Sequence, residues 1–429
     1  MEKLDAIVVG AGLSGLTAAY YLADAGLQVI VLERGDFPGS KNVTGGRLYL
    51  GPIRKMVPEL LEGAPLERRV TIERFSILSQ EASTTLSFQS RDFRDPARES
   101  CTVLRARLDR WLGDRAMEKG AFVIPQKRVD AILTEKGRAV GIRSGEEEIL
   151  AHVVVIAEGV LSMLCEQIGI RGRLTPKHAA TAVKEVIHLP EGAVERRFGL
   201  LPGEGAAHLF MGSVTRGRFG GGFLYTNQDT VSLGVVVGME PLLGGGDEME
   251  PHALMETFKE RPEIAPLIND GKTVEYAAHL IPEGGYAGLV PPYGDGFLVV
   301  GDAAGLALNM GITVRGMDMA VASGFLAAKA ILKARERGDY TREGLSPYGR
   351  LLNESFVMED LRAFREAASV ISNRRIYRDY PPWLNDLLLA LFTVGEGPKK
   401  KLSRTLWESM KWGPSLVTLA RDLASVRKI

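Results

Sequence analysis

Cysteine is nearly absent from this 429-residue chain, which holds only Cys101 and Cys165. The two stand far apart and in no CxxC pair, so neither a metal or iron–sulfur site nor a disulfide framework is indicated. Both are expected as buried, apolar-like thiols in a reducing compartment. Long apolar runs are missing too: no stretch reaches the about 18 residues that mark a membrane-crossing helix. The first strand is expected almost at the N-terminus, so no signal peptide is expected. Neither charge dominates, since 53 Lys and Arg balance 53 Asp and Glu. Zero net charge offers no footprint for nucleic acid. No nucleophile–base triad is visible, and no metal is expected. The expected location is the cytoplasm, with a peripheral membrane contact left open.

Glycine is plentiful, with 49 residues gathered in motifs. Ile7 to Gly15 read I-V-V-G-A-G-L-S-G, after a short apolar strand from Ala6 to Val9. Gly10 permits a tight turn, Gly12 lets the backbone approach a pyrophosphate, and Gly15 lets the next helix pack on the strand. That helix, roughly Leu13 to Ala25, points free N–H groups and its positive dipole end at the phosphates. Gly26 ends it, and Val29 to Leu32 form a second strand. Glu33 then stands where a carboxylate accepts from a ribose diol. Strand, helix, strand and acid in this order predict dinucleotide binding.

The rest of the chain decides which dinucleotide. Gly39 to Arg47 form a second glycine-rich block, suited either to a loop near the cofactor or to a plain surface loop. Alternation from Phe75 to Phe88 suggests strand, followed by a helix from Arg110 to Lys119 and strands at Phe122–Ile124 and Val140–Ile142. Val153 to Ile156 form an apolar strand ending in Ala157-Glu158-Gly159, which suits a return to the nucleotide-binding sheet. Residues 180 to 240 are strand-rich and predict an antiparallel sheet facing the substrate. Phe297 to Gly305 place Gly301 and Asp302 at the end of another apolar strand. Asp302 is suited to a ribityl or ribose hydroxyl. A long small-residue helix, roughly Arg315 to Arg335, follows, and its N-terminus after Gly311-Ile312-Thr313 would face an electron-rich ring edge. Two motifs some 290 residues apart predict FAD rather than NAD, because one glycine motif alone serves NAD.

The expected fold is α/β: a Rossmann-like FAD-binding domain interrupted by an antiparallel β-rich substrate domain, with a helical C-terminal region. The FAD-binding parts are placed at 1–75, 101–172 and 276–335, the substrate parts at 76–100 and 173–275, and the helical region at 336–429.

With these motifs in place, the chain resembles the FAD superfamily of aromatic hydroxylases, geranylgeranyl reductases and electron-transfer flavoprotein:quinone oxidoreductases, most of all the FixC type. Thr44-Gly45-Gly46-Arg47, Gly222 to Asn227, Ile281 to Tyr286 and Gly301 to Gly305 carry the resemblance, which covers about residues 4 to 380. It implies that Gly10, Gly12, Gly15, Glu33, Arg34, Gly45, Gly46, Arg105, Asp109, Gly159, Gly301 and Asp302 line FAD, beside Gly311, Ile312 and Thr313 at its ring end. Gly284, Gly285 and Tyr286 resemble part of the quinone side, with Tyr286 or a water as proton donor. Single-chain relatives carry a four-cysteine iron–sulfur domain, which the two cysteines here cannot form. The resemblance therefore implies a ferredoxin-like iron–sulfur subunit and an electron-transfer flavoprotein of α and β subunits as partners. A membrane quinone, menaquinone or ubiquinone, is the implied acceptor.

The alternative is a geranylgeranyl reductase-like enzyme that saturates isoprenoid lipids. A hydroxylase and a redox-inert flavin-binding subunit are further readings. For a quinone enzyme the apolar run Trp383 to Phe392, then Lys399-Lys400-Lys401 and the helical spacing of Leu402, Leu406, Trp407 and Met410, suit an interfacial helix on anionic lipid at the inner face of the membrane. Packing on the protein's own core or on a partner is the competing fate of these helices.

Overall fold

A computed structural model of the chain describes residues 3–41, 46–243 and 250–429. Two sheets organise it. The first aligns five parallel strands in the spatial order Phe297–Val299, Glu147–Ile156, Leu4–Val9, Val29–Leu32 and Phe122–Ile124. Ala6 to Val9 and Val29 to Leu32 are buried at every position, so both faces of these strands are covered. That explains their continuous apolar sequence, which a half-exposed strand would break with polar residues. The helix Leu13–Asp24 packs between this sheet and the long helix Met317–Arg337. A Cβ on Gly15 would overlap the Gly10 carbonyl, and one on Gly324 would overlap that of Ser14. Both glycines therefore set how closely the helix approaches its neighbours.

The second sheet runs Lys272–Pro282, Ala179–His188, Thr230–Gly238, Gly220–Thr226, Glu204–Gly212, Leu66–Leu78, Ser100–Val103 and Arg47–Tyr49, with Ser83–Gln89 paired to Leu66–Leu78. It is antiparallel except where Glu204–Gly212 runs parallel to Leu66–Leu78. Segment 1–75 thus feeds both sheets. Each sheet has its own apolar core.

Two local expectations are corrected. The helix expected from Arg110 is Arg105–Glu118, begun by extended Leu104 and held by an i,i+4 ion pair of Arg105 with Asp109. The helix expected to follow Thr313 starts only at Met317. Leu308–Asn309 and Val314–Arg315 instead form a small hairpin. Gly311 holds a left-handed φ of +83° there, and its N–H donates to Asn309 Oδ1 at 2.9 Å. Such a turn cannot be carried into an α-helix.

The C-terminal region is a run of helices that includes Ala367–Ile371, Arg374–Arg378, Tyr380–Phe392, Leu402–Trp412 and Leu416–Val426. Buried Asn385 anchors them to the second sheet: its Nδ2 donates to the carbonyls of Ile77 at 3.2 Å and Ala82 at 3.0 Å, and its Oδ1 accepts from Thr84 at 2.5 Å. Among the described residues no helix is long and apolar enough to cross a membrane.

Candidate cofactor site

The register of the parallel sheet brings distant residues together. Val9 lies level with Ile156 on one side and Leu32 on the other, and Ile156 lies level with Val299. The strands therefore end along one line, and Gly10, Glu33, Gly159 and Asp302 all follow at that edge. The chain leaves Leu4–Val9 for Val29–Leu32 on one side and later returns as Glu147–Ile156 on the other. This is the topological switch point where open α/β sheets bind ligands.

A cavity of about 920 Å³ opens at this edge and runs between the two sheets. Gly10, Gly12, Glu33, Arg34, Arg105, Gly159, Asp302, Gly311 and Ile312 line it. Gly15, Gly46, Asp109, Gly301 and Thr313 do not face it. Gly46 packs under the Tyr225 ring, Asp109 backs Arg105, and Gly301 donates its N–H to Ser323 Oγ at 3.0 Å. Gly284, Gly285 and Tyr286 also lie off the lining, with Tyr286 exposed at the surface. Gly45 lies outside the described residues.

The residues present fit FAD. A Cβ on Gly12 would meet nothing and project into open space, which leaves room for a pyrophosphate against the backbone. The helix Leu13–Asp24 has no side-chain cap on its first turn, so its initial N–H groups remain available to an anion. Glu33 holds the glycine loop, accepting from Ala11 N–H at 2.9 Å and Gly35 N–H at 2.6 Å. Arg34 lines the cavity and forms no ion pair among the described residues, so it is available to the adenosine end of the cofactor.

Arg105 is buried and forks onto Asp109 through Nε and Nη2, both at 2.7 Å. Burial pushes the Asp302 carboxyl above its usual range, and the Arg105 charge opposes that push. Asp302 accepts no side-chain hydrogen bond among the described residues, which leaves its oxygens for a cofactor hydroxyl.

The far side of the lining holds residues outside the expected set. His279, Ile281 and Glu283 share one face of Lys272–Pro282 and its extension, and that face meets the cavity together with Pro282. Period-two reading back from Glu283 could have found them. Burial, with Arg105 and Arg34 nearby, lowers His279 to about 4, so it is neutral at pH 7. Glu283 is buried and accepts from Asn309 Nδ2 at 3.1 and 3.3 Å. Arg315, fixed by Asp318 at 2.9 Å and by Asp360, closes the hairpin side. The C-terminal helices add Val370, Ile371, Ile376, Tyr377 and Val426, apolar but for one hydroxyl.

A doubly wound sheet carrying this switch-point cavity, with an acid after its second strand and another after its last, defines an FAD-dependent oxidoreductase. Residues 5–100 match the family of FAD dependent oxidoreductases, and residues 368–428 match the ETF-QO/FixC family C-terminal domain. The chain is 42% identical to a protein of Escherichia coli K12 named as a probable electron transfer flavoprotein-quinone oxidoreductase, YdiS, covering 98% of this chain and 97% of that relative. It is 41% identical to protein FixC of the same organism over the same shares, and 37% identical to FixC of Azorhizobium caulinodans over 96% of both chains. The chain belongs to the FixC and electron-transfer flavoprotein–quinone oxidoreductase family.

The fold is shared more widely. A geranylgeranyl bacteriochlorophyll reductase-like protein of Thermoplasma acidophilum superposes with a TM-score of 0.73 at 20% identity, covering 99% of this chain and 100% of that one. A myxobacterial chondrochloren halogenase superposes with a TM-score of 0.65, also at 20% identity, covering 100% of this chain and 98% of that one.

Proposed function

We propose that this chain takes electrons from an electron-transfer flavoprotein onto FAD and passes them to a membrane quinone, menaquinone or ubiquinone. A ferredoxin-like iron–sulfur subunit completes the complex. The observation that carries this reading is the composition of the cavity. Its sheet edge offers charged and backbone groups suited to a dinucleotide, while its C-terminal side offers Val370, Ile371, Ile376, Tyr377 and Val426. An isoprenoid quinone has the chemistry to use both. The names of the relatives point the same way.

Bound FAD would supply reversible two-electron chemistry, and the protein's work is to hold it and to shape its surroundings. Gly10, Gly12 and the first turn of Leu13–Asp24 would hold the pyrophosphate, Glu33 and Arg34 the adenosine end, and Asp302 the ribityl chain. Gly159 and Gly311 would border the bound molecule. Neutral His279 keeps a positive charge away from the cavity wall it forms.

The same reading places the protein peripherally at the inner face of the membrane. Phe392 is 82% exposed and Trp407 63% exposed, with Leu389, Val394, Leu402, Leu416 and Val417 exposed on the same C-terminal segments. Apolar side chains in this number suit an interfacial contact.

The test uses the chain purified with bound FAD. Supplied with a reduced electron-transfer flavoprotein, it should reduce a short-chain quinone. Failure there would overturn the reading, and reduction of geranylgeranyl lipid by NADPH in its place would favour the alternative.

A further inference from the structure

Reduction of a quinone to a quinol needs protons delivered inside a cavity whose acceptor end is apolar. Tyr286 does not face that cavity. Asp302 faces it too, raised by burial against the opposing Arg105 charge, but its place after the strand Phe297–Val299 commits it to the ribityl chain of the cofactor. Glu283 stands in a different setting. Its carboxyl lines the cavity, and the group bound to it is the neutral Asn309 amide. Tyr377, from Arg374–Arg378, is the ionisable side chain that senses it, and burial keeps that phenol protonated.

Glu283 also borders a second cavity of about 10 Å³, behind the first, with room for about one water. Gly285, Asn309, Ala367, Ala368 and Ile371 share this small cavity. Gly285 and Ala368 are themselves partly open to solvent. A carboxyl that touches the acceptor space on one side and a water-sized space on the other has the geometry of a proton relay.

We propose that Glu283 donates a proton to the acceptor reduced in this cavity and is reloaded from solvent through the small cavity behind it. The proposal rests on the quinone-reductase reading. In the step, bound reduced FAD would supply two electrons and one proton. The quinone takes up those electrons and that proton, and its second oxygen forms an O–H bond as the Oε–H bond of Glu283 breaks. The carboxylate left behind then takes a proton from a water in the small cavity, which is itself reprotonated from solvent. Burial supports this role by raising Glu283 to about 7 against the opposing Asn309 hydrogen bond, so acid and base forms are both populated near neutrality.

The experiment compares wild type, Glu283→Gln and Glu283→Asp, each purified with FAD and reduced beforehand. Reoxidation is followed with a short-chain quinone and, separately, with ferricenium, which takes electrons without protons. Glu283→Gln should slow quinone reoxidation by about 10²-fold or more and abolish its pH dependence near neutrality. Ferricenium reoxidation should stay within about twofold of wild type, and Glu283→Asp should recover part of the quinone rate. Infrared titration should show one carboxyl C=O band lost between about pH 6 and 8 in wild type and no such band in Glu283→Gln.

Equal quinone rates in wild type and Glu283→Gln would overturn the proposal, as would equal slowing with both acceptors. If Glu283→Gln does not fold, an unchanged pH profile in Glu283→Asp or the absence of the wild-type infrared band would overturn it. Wild type that accepts ferricenium but never quinone would instead refute the quinone reading itself. Ala368→Leu, which fills the small cavity, should slow repeated turnover but not the first. Unchanged repeated turnover would overturn the reloading route.

Discussion

Arg375 forks onto Asp422, with Nε donating to Oδ2 at 2.7 Å and Nη2 to Oδ1 at 2.6 Å, and the Tyr380 hydroxyl donates to the same Oδ2 at 2.5 Å. This cluster ties Leu416–Val426 to Arg374–Arg378, two segments that both contribute to the cavity wall through Val426, Ile376 and Tyr377. Asp422→Ala should therefore loosen the last helix. Limited proteolysis should cut near residue 415 faster than in wild type, while flavin content stays the same and the KM for a short-chain quinone rises.

The same cluster has a pH signature. Hydrogen bonds from Arg375, opposed in part by burial, hold the Asp422 carboxyl well below the usual carboxylate range. A carboxyl lowered in the folded state contributes its full stabilisation at every pH above its unfolded value of about 4, and loses it progressively as pH falls from there through the lower folded value. Hydrogen exchange of Leu416–Val426 should thus remain protected at pH 4 in wild type and be fast at all pH values in Asp422→Ala.

Gly12 and Gly15 belong to one motif but should fail differently. Gly12→Ala adds a methyl group to open cavity, so the apoprotein should melt as wild type does and bind FAD weakly. Gly15→Ala drives a methyl group into the Gly10 carbonyl, and the apoprotein itself should lose about 1–3 kcal/mol. Thermal melts of both apoproteins, with flavin content measured beside them, separate the two.

Glu33 contributes more than a ribose contact, because it accepts from Ala11 and Gly35 across the glycine loop. A hydrogen bond to a charged group is worth about 1.5–3 kcal/mol. Glu33→Ala should lower FAD affinity by about tenfold to a hundredfold, measured by titration of the apoprotein with flavin fluorescence.

Two histidines, His208 buried and His279 half-buried, set an acid limit. His279 is lowered to about 4 and His208 to about 3, both chiefly by burial. Each binds its proton more readily when unfolded, so stability is full above about 6.5 and declines as pH drops toward the folded values. His279→Gln should flatten the fall in Tm between about pH 6.5 and 4, read by calorimetry across that window.

Much of the first sheet is legible in the sequence because strands covered on both faces must be apolar throughout. Ala6 to Val9 and Val29–Leu32 carry that signal without interruption, whereas Phe122–Ile124 is apolar although it closes the sheet's edge with Phe122 exposed. The hairpin at Leu308–Arg315 is not legible, since Gly311 reads equally as a helix start or a turn until Asn309 is seen to hold its N–H. The start of Arg105–Glu118 is hidden for a related reason: R-A-R-L-D has the composition of a charged loop, and only burial of the Arg105–Asp109 pair makes it helical. Glu283 escapes notice because its neighbours Gly284 and Gly285 mark a turn, whereas its side chain follows the strand before it. Local pattern reports backbone state well and side-chain destination poorly.

The cavity edge is assembled from positions 10, 33, 105, 159 and 302, which meet only when the whole parallel sheet is in register. A molecule bound there recognises the completed chain and none of its fragments. At a hundred times its dissociation constant, such a ligand adds about 2.7 kcal/mol to global stability. Flavin supply thereby becomes a control on abundance: cells short of FAD would carry less of this protein because the unliganded chain unfolds and is degraded more often.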